Sequence, residues 1–188
     1  MSKYKHFYVF IGIDKHFVRV IPTNNKELRM IKTNAMRIIE TAKIEYKAYE
    51  YTPTNGIDAV SIAGYLNKPT EQTFKTLVTQ SANEQHGFDH FVFVIPAGSE
   101  LSVKKAAQAA KVKNIEMLPL KKLLPLTGYV HGGCSPLGMK KTFPTFIDET
   151  AILFDTICLS GGKIGLTLEL NAEKLASLID AEFADLTL

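Results

Sequence analysis

Three separated segments carry residue types that could do chemistry together. They are Phe74-Lys75-Thr76-Leu77-Val78, the glycine-rich run Tyr129-Val130-His131-Gly132-Gly133-Cys134-Ser135-Pro136-Leu137-Gly138, and Ser160-Gly161-Gly162-Lys163. Glycine lets backbone amides approach a ligand closely, and a run of free amides in a turn forms a concavity for an anion or an oxyanion. A lysine set among apolar neighbours on a strand supplies a point charge for a phosphate or a developing alkoxide. The pattern predicts one pocket assembled from the two glycine loops and the lysine strand.

Each element of that pattern also has a plainer use. On a strand Lys75 shares a face with Leu77 and Thr79, opposite Phe74, Thr76 and Val78. A lysine beside Leu77 can be partly desolvated in a cleft or solvated on an edge strand, and spacing alone favours the second. His131 and Cys134 invite a Cys/His nucleophilic pair. A reactive thiol needs an electropositive, partly exposed setting, and no third orienting group stands beside this one; a small buried residue behind a loop is the commoner arrangement. His86 and His90 are four apart, as helical metal ligands are, but Gly87 and the strand after it oppose a helix, so no metal is expected. Ser160-Gly161-Gly162-Lys163 lacks the order of a phosphate loop and reads equally as a hairpin turn. Tyr49 and Tyr51 share a strand face and could stack on a base or sugar, or simply pack. Asp148, Glu149 and Glu169 have no spacing that picks out an acid/base pair.

The elements that must position these groups can be read from periodicity. A helix begins at Thr33-Asn34, with Ala35, Met36, Ile38, Ile39 and Ala42 at helical spacing. Strands are predicted over 46–51, 73–80, 91–95, 115–118, 145–148, 156–160 and 164–170, with 73–80 and 91–95 forming a hairpin. Helices are predicted over 58–66, over 103–111 after Ser102, over 120–124 between Pro119 and Pro125, and over 172–180 after Asn171. Strands outnumber helices without strict alternation. The expected class is therefore α+β, a mixed β-sheet curling into a barrel-like core with flanking helices. Residues 1–31 stand apart: 7–13 and 17–21 read as short apolar strands, followed by the polar Thr23-Asn24-Asn25-Lys26-Glu27. They are taken as an N-terminal extension and 32–188 as the main domain.

Composition narrows the partners. With 188 residues and 46% hydrophobic content the chain can build one sizeable core. The net charge of +3 permits a polyanionic partner without demanding one. Arg19, Arg29 and Arg37 all fall early, so later cationic surface consists of lysine, which suits phosphate contact better than bidentate reading of base edges. Direct DNA reading is not expected. No apolar run approaches the roughly 18 residues of a membrane span, the start lacks a signal-peptide pattern, and two cysteines, Cys134 and Cys158, make no disulfide framework. A cytoplasmic protein with reduced thiols is the expectation.

Taken together, the Phe74-Lys75-Thr76-Leu77 strand, the 127–138 segment with its SPLG core, the Ser160-Gly161-Gly162-Lys163 loop and the helix at 33–43 resemble the YbaK/EbsC family. These are free-standing relatives of the editing domain inserted in bacterial prolyl-tRNA synthetase. The resemblance runs from about Lys32 to the C-terminus. It implies a trans-editing deacylase that removes cysteine from mischarged tRNA(Pro), and from tRNA(Cys) in some members, with no cofactor. Cysteine and proline have similar volumes, so a synthetase pocket discriminates poorly between them and fidelity needs a second sieve. By the same resemblance Lys75 is the catalytic position, Tyr51 lines the pocket, Gly132 and Gly133 belong to the carbonyl-holding loop, and Ser160, Gly161 and Gly162 to the second loop. Thr76 completes the substrate-binding set. An aromatic that some members carry before the short helix is absent near Asp58. The implied partners are an aminoacyl-tRNA acceptor end and a prolyl-tRNA synthetase complex.

The family mechanism has the substrate cysteine's own sulfur attack its ester carbonyl, with loop amides holding the oxyanion and Lys75 the terminal phosphate or ribose. Three rivals remain at this stage: a related deacylase that removes alanine using water, a non-catalytic module binding tRNA ends or a synthetase, and a regulator unrelated to tRNA.

Overall fold

The computed structural model describes residues 18–21, 32–54, 56–83 and 87–188. The apolar run Phe91-Val92-Phe93-Val94-Ile95 explains the layering. All five are buried, with Val92 and Val94 facing one core and Phe91, Phe93 and Ile95 the other. A strand buried on both faces has no polar side to show, so it must lie inside a sheet. It is the central part of β4 (Gly87–Pro96), which pairs antiparallel with β3 (Phe74–Asn83) as the predicted hairpin. The turn itself, including His86, lies outside the described residues.

This hairpin is the middle of a five-stranded mixed sheet. β5 (Glu116–Met117) flanks β3, while β6 (Thr145–Asp148) and then β9 (Ala181–Ala184) lie parallel on the β4 side. A second, four-stranded antiparallel sheet follows the order β1 (Val18–Ile21), β2 (Tyr46–Tyr51), β8 (Leu166–Leu170), β7 (Ile157–Lys163). The two sheets meet at a bridge between Thr73 and Cys158, where the Cys158 amide donates to the Gln72 carbonyl at 2.9 Å. The α+β class is as expected, but among the described residues the strands form two sheets joined at one corner rather than a closed barrel.

Helices cover the exposed faces. α1 (Asn34–Thr41) is capped by the Thr33 hydroxyl and sends Ala35, Met36 and Ile39 into the main core. α3 (Val103–Ala109), capped by Ser102, seals the second core with Ala106 and Ala107, and α5 (Ala172–Ile179), capped by Asn171, adds Leu175 to the first. Two further helices belong to the site. α2 (Ala59–Leu66) starts at the Asp58 cap, and α4 (Leu120–Thr127) runs past Pro125 to a left-handed Gly128. Sequence periodicity had ended α4 at residue 124. Proline forfeits one hydrogen bond there, and Lys140 Nζ lies 3.5 and 3.4 Å from the Leu124 and Pro125 carbonyls, meeting acceptors at the helix end. None of the described helices is long and apolar enough to cross a membrane.

Candidate active site

A cavity of about 260 Å³ opens where the two sheets meet. One wall is β3, contributing Phe74, Lys75, Thr76 and Val78; another is the glycine-rich loop, with His131, Gly132 and Cys134. Leu159, Ser160 and Thr167 come from the β7–β8 hairpin, Ile57, Asp58 and Ile62 from the start of α2, Leu118 from just before α4, and Leu120 and Leu123 from α4 itself. Residues up to 110 positions apart converge because β3 and β7 are brought side by side at the Thr73–Cys158 bridge.

Four of the residues singled out in the sequence, Lys75, Thr76, Gly132 and Ser160, line this cavity. Lys75 is half-buried, and its ammonium donates to the Ala97 carbonyl at 3.0 Å, which leaves two N–H groups for a ligand. Desolvation holds its pKa below the ordinary lysine value, opposed by the charges of Glu100 and Asp58. Thr76 Oγ1 is buried and has no hydrogen-bond partner among the described residues. A buried hydroxyl left open in this way is costly and marks a point at which a ligand group would be welcomed.

Gly132 adopts φ +79°, and a Cβ there would stand 2.8 Å from Ile57 Cδ1, so a side chain would collide with the opposite wall. Its amide meets no backbone acceptor among the described residues, whereas that of Gly133 donates to the Val130 carbonyl at 3.0 Å. Ser160 Oγ accepts from the Gly162 amide at 3.3 Å.

The other four, Tyr51, Gly133, Gly161 and Gly162, are not on the cavity lining. The Tyr51 hydroxyl lies 3.3 Å from Thr167 Oγ1, which is on the lining, and its ring is 5.6 Å from that of Tyr65; Tyr51 therefore backs the wall rather than forming it. Gly133 packs on the backbone of Lys163 and Ile164, tying the two glycine loops together. Gly161 and Gly162 do not make the hairpin turn. They form an irregularity within β7 between Ser160 and Lys163, and the turn is Ile164-Gly165, with Gly165 at φ +81°. The bulge packs Gly161 against Leu166 and Gly162 against the Tyr129 ring.

Cys134 is on the lining, yet burial pushes its thiol up to about 12. It is held as a protonated thiol at neutral pH, the opposite of what a cysteine nucleophile requires. Cys158 is fully buried and pushed up to about 12 as well. Among the described residues no group of three or more His, Cys, Asp or Glu side chains could hold a metal ion.

The apolar wall of Ile57, Ile62, Leu118, Leu120 and Leu123, together with Asp58 and Thr167, was not read from the sequence as part of the site. Ile62, Leu120, Leu123 and Thr167 lie in elements whose local period says which face is apolar but not which distant segment that face meets, Ile57 and Leu118 lie in connections, and Asp58 carries only the signal of a helix cap.

The model of the aminoacyl-tRNA editing domain matches residues 55–178, a span containing the whole cavity lining. The chain belongs to this editing-domain family. Within it, the chain is 45% identical over 157 residues to EbsC of Enterococcus faecalis, a protein whose name proposes it as a Cys-tRNA(Pro)/Cys-tRNA(Cys) deacylase; the match covers 83% of this chain and 93% of that protein. The YbaK/EbsC resemblance drawn from the motifs is thereby established. Among solved structures, one described as a proposed trans-editing enzyme for prolyl-tRNA synthetase superposes with a TM-score of 0.70 at 21% identity, covering 85% of this chain and 99% of that one. The hypothetical protein APE2540 superposes with a TM-score of 0.74 at 18% identity, over 83% of this chain and 100% of that one. Both share the editing-domain fold seen here.

Proposed function

We propose that this protein is a trans-editing deacylase that frees tRNA(Pro), and tRNA(Cys), from esterified cysteine. The observation that carries the reading is the meeting of Lys75, the unpartnered Thr76 hydroxyl, the open Gly132 amide and Ser160 on one cavity in a member of the editing family. The likeness to EbsC supports cysteine as the amino acid. An ester is already an activated acyl donor, so positioning and stabilisation of charge suffice to break it.

The thiol of the bound cysteine attacks its own ester carbonyl. A sulfur–carbon bond forms, the carbon–oxygen bond to the terminal ribose breaks, and the proton lost by sulfur ends on the departing ribose oxygen. The Gly132 amide donates to the carbonyl oxygen as it becomes an oxyanion. Lys75, with two free N–H groups, holds the terminal phosphate or ribose. The enzyme supplies no nucleophile of its own, consistent with a Cys134 thiol held protonated by burial. The acceptor end of aminoacyl-tRNA is the partner in this reading, and a prolyl-tRNA synthetase complex is the setting in which a mischarged product would be intercepted. Residues 32–188 form the editing unit, to which 1–31 are an addition, and the compartment is that of translation, the cytoplasm.

Single-turnover deacylation of cysteinyl-, alanyl- and seryl-tRNA(Pro) tests this. Cysteine should be removed fastest, and Lys75→Ala should lower that rate by about 100-fold or more, the scale of losing one charge-stabilising group. Faster removal of alanine would replace substrate-thiol attack by water attack, and ester loss at the spontaneous rate for all three would reduce the protein to a binding module.

A further inference from the structure

The cavity has two charged poles that the proposed mechanism uses unequally. Among the described residues of its lining, Lys75 is the one ammonium and Asp58 the one carboxylate; the rest mixes apolar side chains such as Ile57, Ile62, Leu120 and Leu123 with the polar His131, Ser160 and Thr167. Lys75 feels the Asp58 charge, but its ammonium is bonded to the Ala97 carbonyl instead. Asp58 therefore presents a negative charge to the cavity that the protein's own lysine does not consume.

Its geometry is well defined. One carboxylate oxygen accepts from the Ser61 amide at 3.0 Å and the other from the Ser61 hydroxyl at 2.6 Å. Gly56, at φ +142°, lies so close that a Cβ there would stand 2.8 Å from Asp58 Oδ2. The backbone amides of Asp58 and Val60 also point at this carboxylate, so what it offers a ligand is its charge rather than a set of empty acceptor positions. The hydrogen bonds from Ser61 also keep the acid below its ordinary pKa, hence ionised at neutral pH.

We propose that Asp58 is a specificity-determining residue that binds the α-ammonium of the aminoacyl ester, so that the enzyme reads a free amino terminus as well as a side chain. This rests on the deacylase reading. An aminoacyl-tRNA end is itself bipolar, with a cationic amine one carbon from the scissile carbonyl and anionic phosphate on the far side of the ribose. The cavity offers a carboxylate and an ammonium to match. Asp58 lines the cavity but is itself exposed, so the contact offered to the amine is a charge-assisted hydrogen bond that an acylated nitrogen cannot form. The same contact rejects chains whose amine is acylated, sparing peptidyl-tRNA.

Asp58 also caps α2, and the test must separate the two roles. Asparagine caps helices as well as aspartate does but carries no charge. Asp58→Asn is compared with wild type on cysteinyl-tRNA(Pro) and on N-acetylcysteinyl-tRNA(Pro), each ratio being taken within one substrate so that ester reactivity cancels. The expected result is a kcat/KM about tenfold lower on cysteinyl-tRNA(Pro), the scale of one charge-assisted hydrogen bond, with no change on the acetylated ester. Equal loss on both substrates, or loss on neither, overturns the assignment. A wild-type protein idle on every aminoacyl-tRNA overturns the deacylase reading itself, and this inference with it.

Discussion

At Lys75 two local forces meet. Burial favours the neutral amine, while Glu100 and Asp58 favour the ammonium, and burial prevails. The residue therefore loses its proton at a lower pH than a free lysine near about 10.4. If the ammonium is the working form, the Lys75-dependent part of the rate, wild type minus Lys75→Ala, declines as pH rises through that lowered value. A decline coinciding with free lysine would contradict it. Cys134 makes the reverse prediction. Its thiol is pushed up to about 12, so Cys134→Ala should leave the single-turnover rate within about twofold of wild type. Gly132 is constrained by shape: at φ +79°, with Ile57 Cδ1 2.8 Å from any Cβ, Gly132→Ala must strain the backbone and push Ile57 into the cavity. A loss of about 1–2 kcal/mol in urea unfolding is expected, together with a fall in activity.

At the scale of elements, the piece that holds the cavity in register is β8. Its Glu169 is buried yet accepts from the hydroxyls of Tyr49 on β2 and Thr156 before β7, and from Lys68 at 3.1 Å, just beyond α2. Lys47 Nζ lies a further 3.6 Å away. One carboxylate thus ties β2, β7 and the end of α2 to β8. Burial alone would raise its pKa, but the bonds from Tyr49, Thr156 and Lys68 outweigh it and hold the acid below its ordinary value. A carboxylate depressed in the folded state stabilises fully above its unfolded pKa of about 4.3 and loses that contribution as pH falls through the folded value. Glu169→Gln should cost about 2–4 kcal/mol at neutral pH and flatten the acid limb of the stability profile; a variant with an unaltered limb would remove Glu169 from this role.

For the whole molecule, residues 18–21 add an edge strand to the smaller sheet, and Val18 is buried against Tyr49 and Tyr51. That layer lies behind Thr167 and hence behind the cavity. If 32–188 is the editing unit, a chain beginning at Lys32 should fold and deacylate, with stability lower by about 2 kcal/mol from the exposed β2 edge and the lost valine. Failure of that shorter chain to fold would make the first segment part of the domain.

Much of this was legible before folding. The apolar run at 91–95, the strand at 46–51 and the caps at Thr33, Ser102 and Asn171 follow from local sterics and hydrogen bonding, so residues a few positions apart contain the information. Lys75 and Gly132 stand out in the sequence because lysine and glycine carry their chemistry in their type, Ser160 stands out only through the family resemblance, and all three line the cavity. Tertiary structure alone decided that the diglycine at 161–162 is a bulge rather than a turn, that α4 continues through Pro125, that Tyr51 backs the wall, and that Asp58 and a leucine wall face the lysine. Each of these depends on which distant backbone lies alongside, and that follows from the joint packing of two sheets at the Thr73–Cys158 corner rather than from any period within a single segment.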